Sequence, residues 1–235
     1  MDNKEIENLM RLAIEYPRPE AIKPYCSDVW NQPFFFKIDK AKVLTISYNP
    51  SDKGTKANYN GYIEQYKKEG NLDTNTILNI LYNYSTKDNK WRDMHNILFA
   101  HLGFDDDVIA HMDVSSFPYK ESKYYQENRI IDNSDKFLLQ TIELLKDQLK
   151  IIFVDGKNNK SFIYKIMQND DWICVDKTAM AINSGNKKYD LLIFKHNSTY
   201  LIYYGCLLYG RNPPSKDQMG IIANHIKTII QQQQL

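Results

Sequence analysis

Residues 42–51 read Lys-Val-Leu-Thr-Ile-Ser-Tyr-Asn-Pro-Ser, an apolar β-rich run that ends at an Asn-Pro pair. A strand with so little alternation of polar and apolar residues is typical of the middle of a covered parallel sheet. Ligands of such sheets bind at the carboxyl ends of the strands. Because Pro50 disfavours the helical region for the residue before it, we expect Asn49 to project from a rigid turn. Asn49 then either orients a water or substrate oxygen, or simply ends the strand.

The length and charge of the chain set modest bounds. A chain of 235 residues suits one well-buried α/β domain. We expect that domain to cover residues 1–235, with a helical and aromatic extension at 1–40 and a Gln-rich tail at 231–235. The 30 basic and 29 acidic side chains give a net charge of +1. The overall charge therefore does not favour binding to nucleic acid or to a membrane. Such a partner must be bound through a local patch of positive charge.

The three cysteines, Cys26, Cys174 and Cys206, are far apart and lack metal-ligand spacing. This pattern predicts reduced, mostly buried thiols in a cytoplasmic protein. The polar N-terminus lacks the apolar core of a signal peptide, and no segment approaches the length of a membrane span. We therefore expect a soluble cytoplasmic protein that binds no membrane. The five histidines also lack ligand spacing, so neither a metal nor another cofactor is expected.

Strands and helices alternate along the chain. Helical periodicity predicts helices at residues 3–15, 77–84, 91–102, 135–149, 163–168 and 217–230. Strands are predicted at residues 42–48, 108–114, 150–154 and 172–175, and the β-rich runs at 191–194 and 200–208 form either a hairpin or a strand with an insertion. The repeated βα order indicates the α/β class. We expect a three-layer α/β/α sandwich with a mostly parallel four-stranded sheet.

A second Asn-Pro pair, Asn212-Pro213, follows the last β-rich run and directly precedes a predicted helix. In a parallel sheet this pair and Asn49-Pro50 open on the same edge. The two turns are therefore candidates for one cleft.

Four weak motifs in a fixed order give the chain a family resemblance. The first strand ends in Ser47-Tyr48-Asn49-Pro50-Ser51, where the family has G-x-N-P-G. Residues 89–98, followed by 101–104, resemble the family's N-R-F-W-K-x-L helix and A-G-F turn. A second strand ends at 111–114, and residues 212–215 approximate the late H-P-S or N-P-S motif. Over residues 40–228 the chain resembles the uracil-DNA glycosylase superfamily, most closely its mismatch-specific uracil/thymine branch.

The resemblance implies a DNA glycosylase that flips uracil or another altered pyrimidine out of DNA and hydrolyses its N-glycosidic bond. It implies that Asn49 positions the attacking water. Related branches have an aspartate there, so an amide implies a slower enzyme. Tyr59, or alternatively Tyr48 or Tyr62, would stack on the flipped base. Ser51 stands where a family glycine lets the backbone approach that base.

Other residues would bind the base edge and the DNA backbone. Asp113 either reads the base edge or caps the turn that follows it. Asn212 and Ser215 would lie against the DNA, with His196-Asn197-Ser198 as a secondary candidate for the late motif. Phosphates would be contacted by Arg211, Lys53 and Lys120. The expected partner is DNA, and the expected state is a monomer.

Two alternatives remain open at this point. One is a glycosylase against modified bases of foreign (phage) DNA, for which the replaced glycines and a long segment before Tyr204 would provide space. The other is a catalytically silent member of the same fold that binds DNA or a protein. Residues 155–160 lack the glycine spacing and ending of a phosphate loop, and no G-x-S-x-G elbow occurs. Nucleotide-hydrolase and serine-hydrolase activities are therefore not expected.

Overall fold

The computed structural model describes residues 3–27, 31, 38–47, 90–181, 187–208 and 213–233. The chain forms two compact units. The first unit is Met1–Asp39, Ser47–Lys87 and His111–Asp147, and the second is Lys40–Ile46, Asp88–Ala110 and Gln148–Leu235. The single domain expected over residues 1–235 stays a prediction.

The described residues contain six α-helices and six strands. The helices are α1 (Asn3–Glu15), α2 (Lys90–His101), α3 (Ser122–Asp132), α4 (Asp135–Leu145), α5 (Lys160–Ile166) and α6 (Lys216–Gln232). The strands are β1 (Val43–Ser47), β2 (Ile109–Asp113), β3 (Ile151–Asp155), β4 (Ile173–Ala181), β5 (Lys188–His196) and β6 (Thr199–Tyr204). None of these helices is long and apolar enough to cross a bilayer.

All six strands belong to one sheet with the order β2-β1-β3-β6-β5-β4. Strand β3 is parallel to both β1 and β6, whereas β5 is antiparallel to β6 and β4. Lys42 N–H donates to Val108 C=O at one end of the β1–β2 pair, and Val114 N–H donates to Ser47 C=O at the other. Because residue numbers increase together along both strands, β2 is parallel to β1.

The α/β class is therefore confirmed, but the sheet has six strands among the described residues instead of the predicted four. The difference lies in β4 and β5, each of nine residues, which extend the sheet beyond β6. Strands β5 and β6 form the hairpin that was one of two sequence-based alternatives. Asn197 makes its tight turn possible with a φ of 51°, a left-handed conformation that asparagine tolerates well.

The sheet of the second unit is buried on both faces at its centre. One face packs against α2 and α6 around Phe99, Phe153, Ile202 and Met219. On the opposite face, Leu44, Ile152 and Leu201 are also buried. Burial on both faces explains why β1 and β3 lack the alternation of a half-exposed strand.

The first unit includes the described part of the predicted N-terminal extension. Helix α1 packs against α4, and the Tyr16 ring lies 6.0 Å from that of Phe117 and 5.4 Å from that of Phe137. The Asn31 amide donates to three carbonyls at the end of α1, those of residues 13, 14 and 16. These bonds supply hydrogen-bond partners to backbone carbonyl groups that have none within the helix. Residues 3–27 thus form part of a packed core.

Candidate functional site

The carboxyl ends of β1, β3 and β6 lie side by side in the second unit. Ile46 of β1 is level with Val154 of β3, and Val154 is level with Tyr203 of β6. Neighbouring strands are about 4.8 Å apart, so β1 and β6 are about 10 Å apart across β3. The strands that precede the two Asn-Pro pairs therefore end on one edge, which we call the carboxyl edge.

A buried carboxylate lies at the centre of the carboxyl edge. Asp155 ends β3 with no exposed surface. Its Oδ2 accepts a 3.0 Å hydrogen bond from the N–H of Leu208, in the segment after β6, and lies 3.4 Å from Nε2 of the buried His95 on α2. A buried carboxylate is costly unless polar groups face it; here the Leu208 amide donates to Asp155 and the His95 ring lies beside it. Asp155 thus connects β3, α2 and the chain segment that precedes Asn212.

A side chain at Gly156, in the turn after β3, would have to displace the side chain of Leu207. Gly156 has a φ of 86°, and an added Cβ would lie 2.6 Å from Cδ2 of Leu207. The Gly156 N–H donates to Tyr204 C=O at 2.9 Å, and the Asn159 amide donates to Asp155 C=O at 2.7 Å. Glycine is the residue that adopts this conformation without strain. The turn is therefore fixed in close contact with the end of β6.

Burial raises the pKa of the thiol and phenol groups next to this edge. It raises the pKa of Cys206 to about 11, with a smaller contribution from the Asp155 carboxylate and an opposing one from Lys187. Burial also raises the pKa of Tyr203 to about 12 and that of Tyr204 further. Because the thiolate is the reactive form of cysteine, Cys206 is a poor nucleophile at neutral pH. The second unit therefore provides packing and hydrogen bonds at this edge, without an activated thiol.

The end of β2, in the first unit, carries a histidine and a carboxylate. Asp113 is the last residue of the strand, and its Oδ1 lies 3.5 Å from Nε2 of His111. The two residues are two positions apart, so their side chains project from the same face. Both side chains are largely buried. If Asp113 reads the base edge as predicted, its carboxylate does so while it lies next to the His111 imidazole.

A hydrogen-bonded network fixes the chain after β2. Asp132 Oδ2 accepts from Ser115 Oγ at 2.7 Å and from the Tyr119 hydroxyl at 2.8 Å. Its Oδ1 accepts from the N–H and hydroxyl of Ser134. Burial raises the pKa of Asp132, and these hydrogen bonds oppose that shift. The network joins residues 115–119 to the turn between α3 and α4.

Seven of the predicted site residues lie outside the described residues: Tyr48, Asn49, Ser51, Lys53, Tyr59, Arg211 and Asn212. Of the other three, Asp113 faces His111, and exposed Lys120 donates from Nζ to Pro24 C=O at 2.9 Å. Exposed Ser215 is the N-cap of α6 and accepts from the N–H of Gln218 at 3.3 Å. All three residues therefore make contacts within the protein itself.

The sequence-based prediction missed the pairing of Asp155 with His95. The sequence does contain a feature that indicates this site, because Asp155 is a lone carboxylate directly after the apolar run 151–154. A carboxylate at the end of a fully buried strand lies at the edge where such sheets bind ligands. The burial of His95 and its contact with Asp155 support a structural role for this histidine.

No group of three metal-binding side chains occurs in the described part of the chain. A scan against protein-family models and a search of curated proteins found no match. Membership of a glycosylase family is therefore a proposal.

Proposed function

We propose that this protein is a DNA glycosylase that hydrolyses the N-glycosidic bond of uracil or another altered pyrimidine flipped out of DNA. The observation that carries the proposal is the placement of β1 and β6 on either side of β3, both parallel to it. Each of these two strands is followed by an Asn-Pro pair, three residues after Ile46 and eight residues after Tyr204. The arrangement supports a ligand site at the carboxyl edge, where both strands end.

The chemistry assigns different tasks to the two motifs. As the bond to the base breaks, the sugar develops positive charge and a water molecule must be positioned to attack it. In the proposal, the amide oxygen of Asn49 accepts a hydrogen bond from that water and orients it. An amide carries no charge and stabilises the cationic sugar less than a carboxylate does. We therefore propose a slow enzyme that depends on precise placement of water and base.

The second motif would bind the DNA backbone. Arg211 and Asn212 would contact the backbone, and Ser215 would do so while it caps α6. The Asp155–Leu208 hydrogen bond fixes the chain shortly before these residues. Because the start of this segment is already held in place, the segment loses less conformational entropy when it binds DNA. This connection supports the assignment of the late motif to the carboxyl edge.

A base-release assay tests the proposal. Labelled duplexes carrying one uracil, one G·T mismatch or one substituted cytosine are incubated with excess protein, and abasic sites are then cleaved with alkali. We expect strand cleavage with at least one of these substrates and none with the matched unmodified duplex. A lack of base release from every substrate would contradict the glycosylase proposal and favour a protein of this fold that only binds.

A further inference from the structure

We infer that lysines at the carboxyl edge of the second unit form a binding surface for the phosphates of duplex DNA. This surface, which we call the lysine edge, consists of Lys157, Lys160, Lys187 and Lys188. It includes no residue that the sequence analysis assigned to DNA. The inference rests on the proposed function for the choice of DNA as partner.

Two of these lysines belong to the chain that follows β3. Lys157 comes two residues after the last residue of that strand and is exposed. Lys160 begins α5, and its Nζ lies 2.8 Å from Oδ2 of Asp190 and 5.9 Å from the Tyr203 ring centroid. Both residues are therefore at the carboxyl edge, where β3 and β6 end.

The other two lysines lie where β5 begins. Since β5 is antiparallel to β6, its first residues are beside the last residues of β6. The Gly205 N–H donates to Asp190 C=O at 2.8 Å, which fixes this relation. Lys188 is the first residue of β5, and the Nζ of Lys187 lies 5.2 Å from the Tyr189 ring centroid. The effect of Lys187 on the pKa of Cys206 also places its charge near the segment after β6.

The charge balance of this edge favours an anionic partner. Asp190 pairs with Lys160, and Asp155 is buried beside His95. Among the described carboxylates, none forms an ion pair with Lys157, Lys187 or Lys188. These three ammonium groups are thus available to phosphates despite a net charge of only +1 for the whole chain.

The spacing of the lysine edge also fits a DNA strand. The turn after β3 and the start of β5 are separated by two strand intervals, about 10 Å. Three nucleotides of one DNA strand rise by about 10 Å along the helix axis. One strand of a duplex can therefore contact both groups of lysines while the adjacent nucleotides of that strand lie over the carboxyl edge.

The opposite edge of the same sheet provides a matched control. Lys42 and Lys150 are exposed and lie just before β1 and β3. Their replacement removes the same charge from the same unit, but from the edge at which β1 and β3 begin. The two double variants to compare are therefore Lys187→Gln with Lys188→Gln and Lys42→Gln with Lys150→Gln.

Fluorescence anisotropy with a labelled 20-base-pair duplex containing one uracil, over a series of KCl concentrations, tests the inference. Each lost phosphate contact lowers the slope of log K against log salt by about 0.9. We expect the Lys187/Lys188 variant to lose about 2 from this slope and on the order of tenfold in affinity near 0.1 M salt. The Lys42/Lys150 variant should match wild type, and Lys187→Arg with Lys188→Arg should retain binding. Thermal unfolding of each variant checks that the fold is intact.

The same variants separate this inference from the proposed function. Suppose that wild type releases the base and that the two glutamine variants have equal affinity and salt slope. The lysine edge is then wrong, while the glycosylase proposal is still supported. Loss of affinity only in the Lys187/Lys188 variant, with no base release by wild type, would support the lysine edge and contradict the glycosylase. If wild type binds no duplex at any salt concentration, the lysine edge is wrong.

Discussion

The N–H of Leu208 donates a 3.0 Å hydrogen bond to Oδ2 of Asp155, and this bond links the chain after β6 to the end of β3. Asp155→Ala would leave that amide unpaired and remove the carboxylate beside His95. We expect the free energy of unfolding to fall by about 3 kcal/mol, the scale for breaking a buried charged contact. Asp155→Asn keeps an acceptor for the amide and should cost less. Urea denaturation gives these values.

Hydrogen exchange gives a local check on the same contact. In wild type the Leu208 amide should be protected, and in Asp155→Ala it should exchange faster than amides in the middle of β3. Equal protection of Leu208 in both proteins would show that Asp155 does not hold this segment.

Gly156→Ala should be more destabilising than Gly103→Ala. Both glycines have a positive φ, 86° and 88°, so both substitutions introduce backbone strain on the order of 1 kcal/mol. A new Cβ at Gly156 would lie 2.6 Å from Leu207 Cδ2, whereas at Gly103 no atom of the described residues lies within 4 Å. Because the Leu207 side chain is flexible and 45% exposed, it can move aside, and we expect an additional cost of about 0.5–1 kcal/mol at Gly156. Adding Leu207→Ala should relieve part of it, and equal costs at both glycines would contradict the tight contact.

Two buried tyrosines should respond differently to the loss of their hydroxyl groups. The Tyr119 hydroxyl bonds to Asp132, so Tyr119→Phe should lower the free energy of unfolding by about 2 kcal/mol. The Tyr204 hydroxyl is buried and has no hydrogen-bond partner among the described residues. Tyr204→Phe should therefore be neutral or slightly stabilising. Urea denaturation of both variants provides the comparison, and a larger loss for Tyr204→Phe would refute this assignment of the two hydroxyls.

Much of the second unit is predictable from sequence because its signals are local. The apolar runs 43–46 and 151–154 each became a strand, and the helical periodicity of residues 217–230 became most of α6. The β4 strand was predicted only over 172–175. Its later residues alternate between exposed and partly buried, and their strand conformation depends on pairing with β5. Such long-range pairing is not encoded in local periodicity.

The candidate site was less predictable for the same reason. Asp155 and His95 are 60 residues apart in the sequence, and the Asp155–Leu208 contact spans 53. Helix α3 was not predicted at all. Its sequence, Ser122–Asp132, is strongly polar, and it ends with Ile130 and Ile131 exposed, so no apolar stripe identified it. The mostly buried thiols expected from sequence are found at Cys26 and Cys206, whereas Cys174 is exposed.

The three cysteines should therefore differ in reactivity. Burial raises the pKa of both Cys26 and Cys206 to about 11, so about a thousandth of each thiol is ionised at pH 8. Iodoacetamide should modify exposed Cys174 first, as peptide mass spectrometry would show. Cys174→Ser should abolish the fast phase, and persistence of that phase in the variant would contradict the burial of the other two thiols.

The same raised pKa values predict a loss of stability in alkali. The unfolded thiols ionise near pH 9 while the folded ones stay neutral. Their contribution to folding is therefore complete below pH 9 and is lost as the pH rises toward 11. Urea denaturation from pH 7 to 11 should show this decline. The decline should be smaller in Cys206→Ala than in wild type, and an equal decline would assign it to other groups.

The most direct test of the glycosylase proposal is the single-turnover rate of base release by Asn49→Ala, measured with the best of the base-release substrates. If Asn49 positions the attacking water, the rate should fall on the order of a hundredfold or more. Duplex affinity and thermal stability should stay close to wild type because phosphate contacts supply most of the affinity. Asn224→Ala, on the exposed side of α6, is the control and should retain the wild-type rate. Equal rates of base release in wild type and Asn49→Ala would contradict the proposal that Asn49 positions the water.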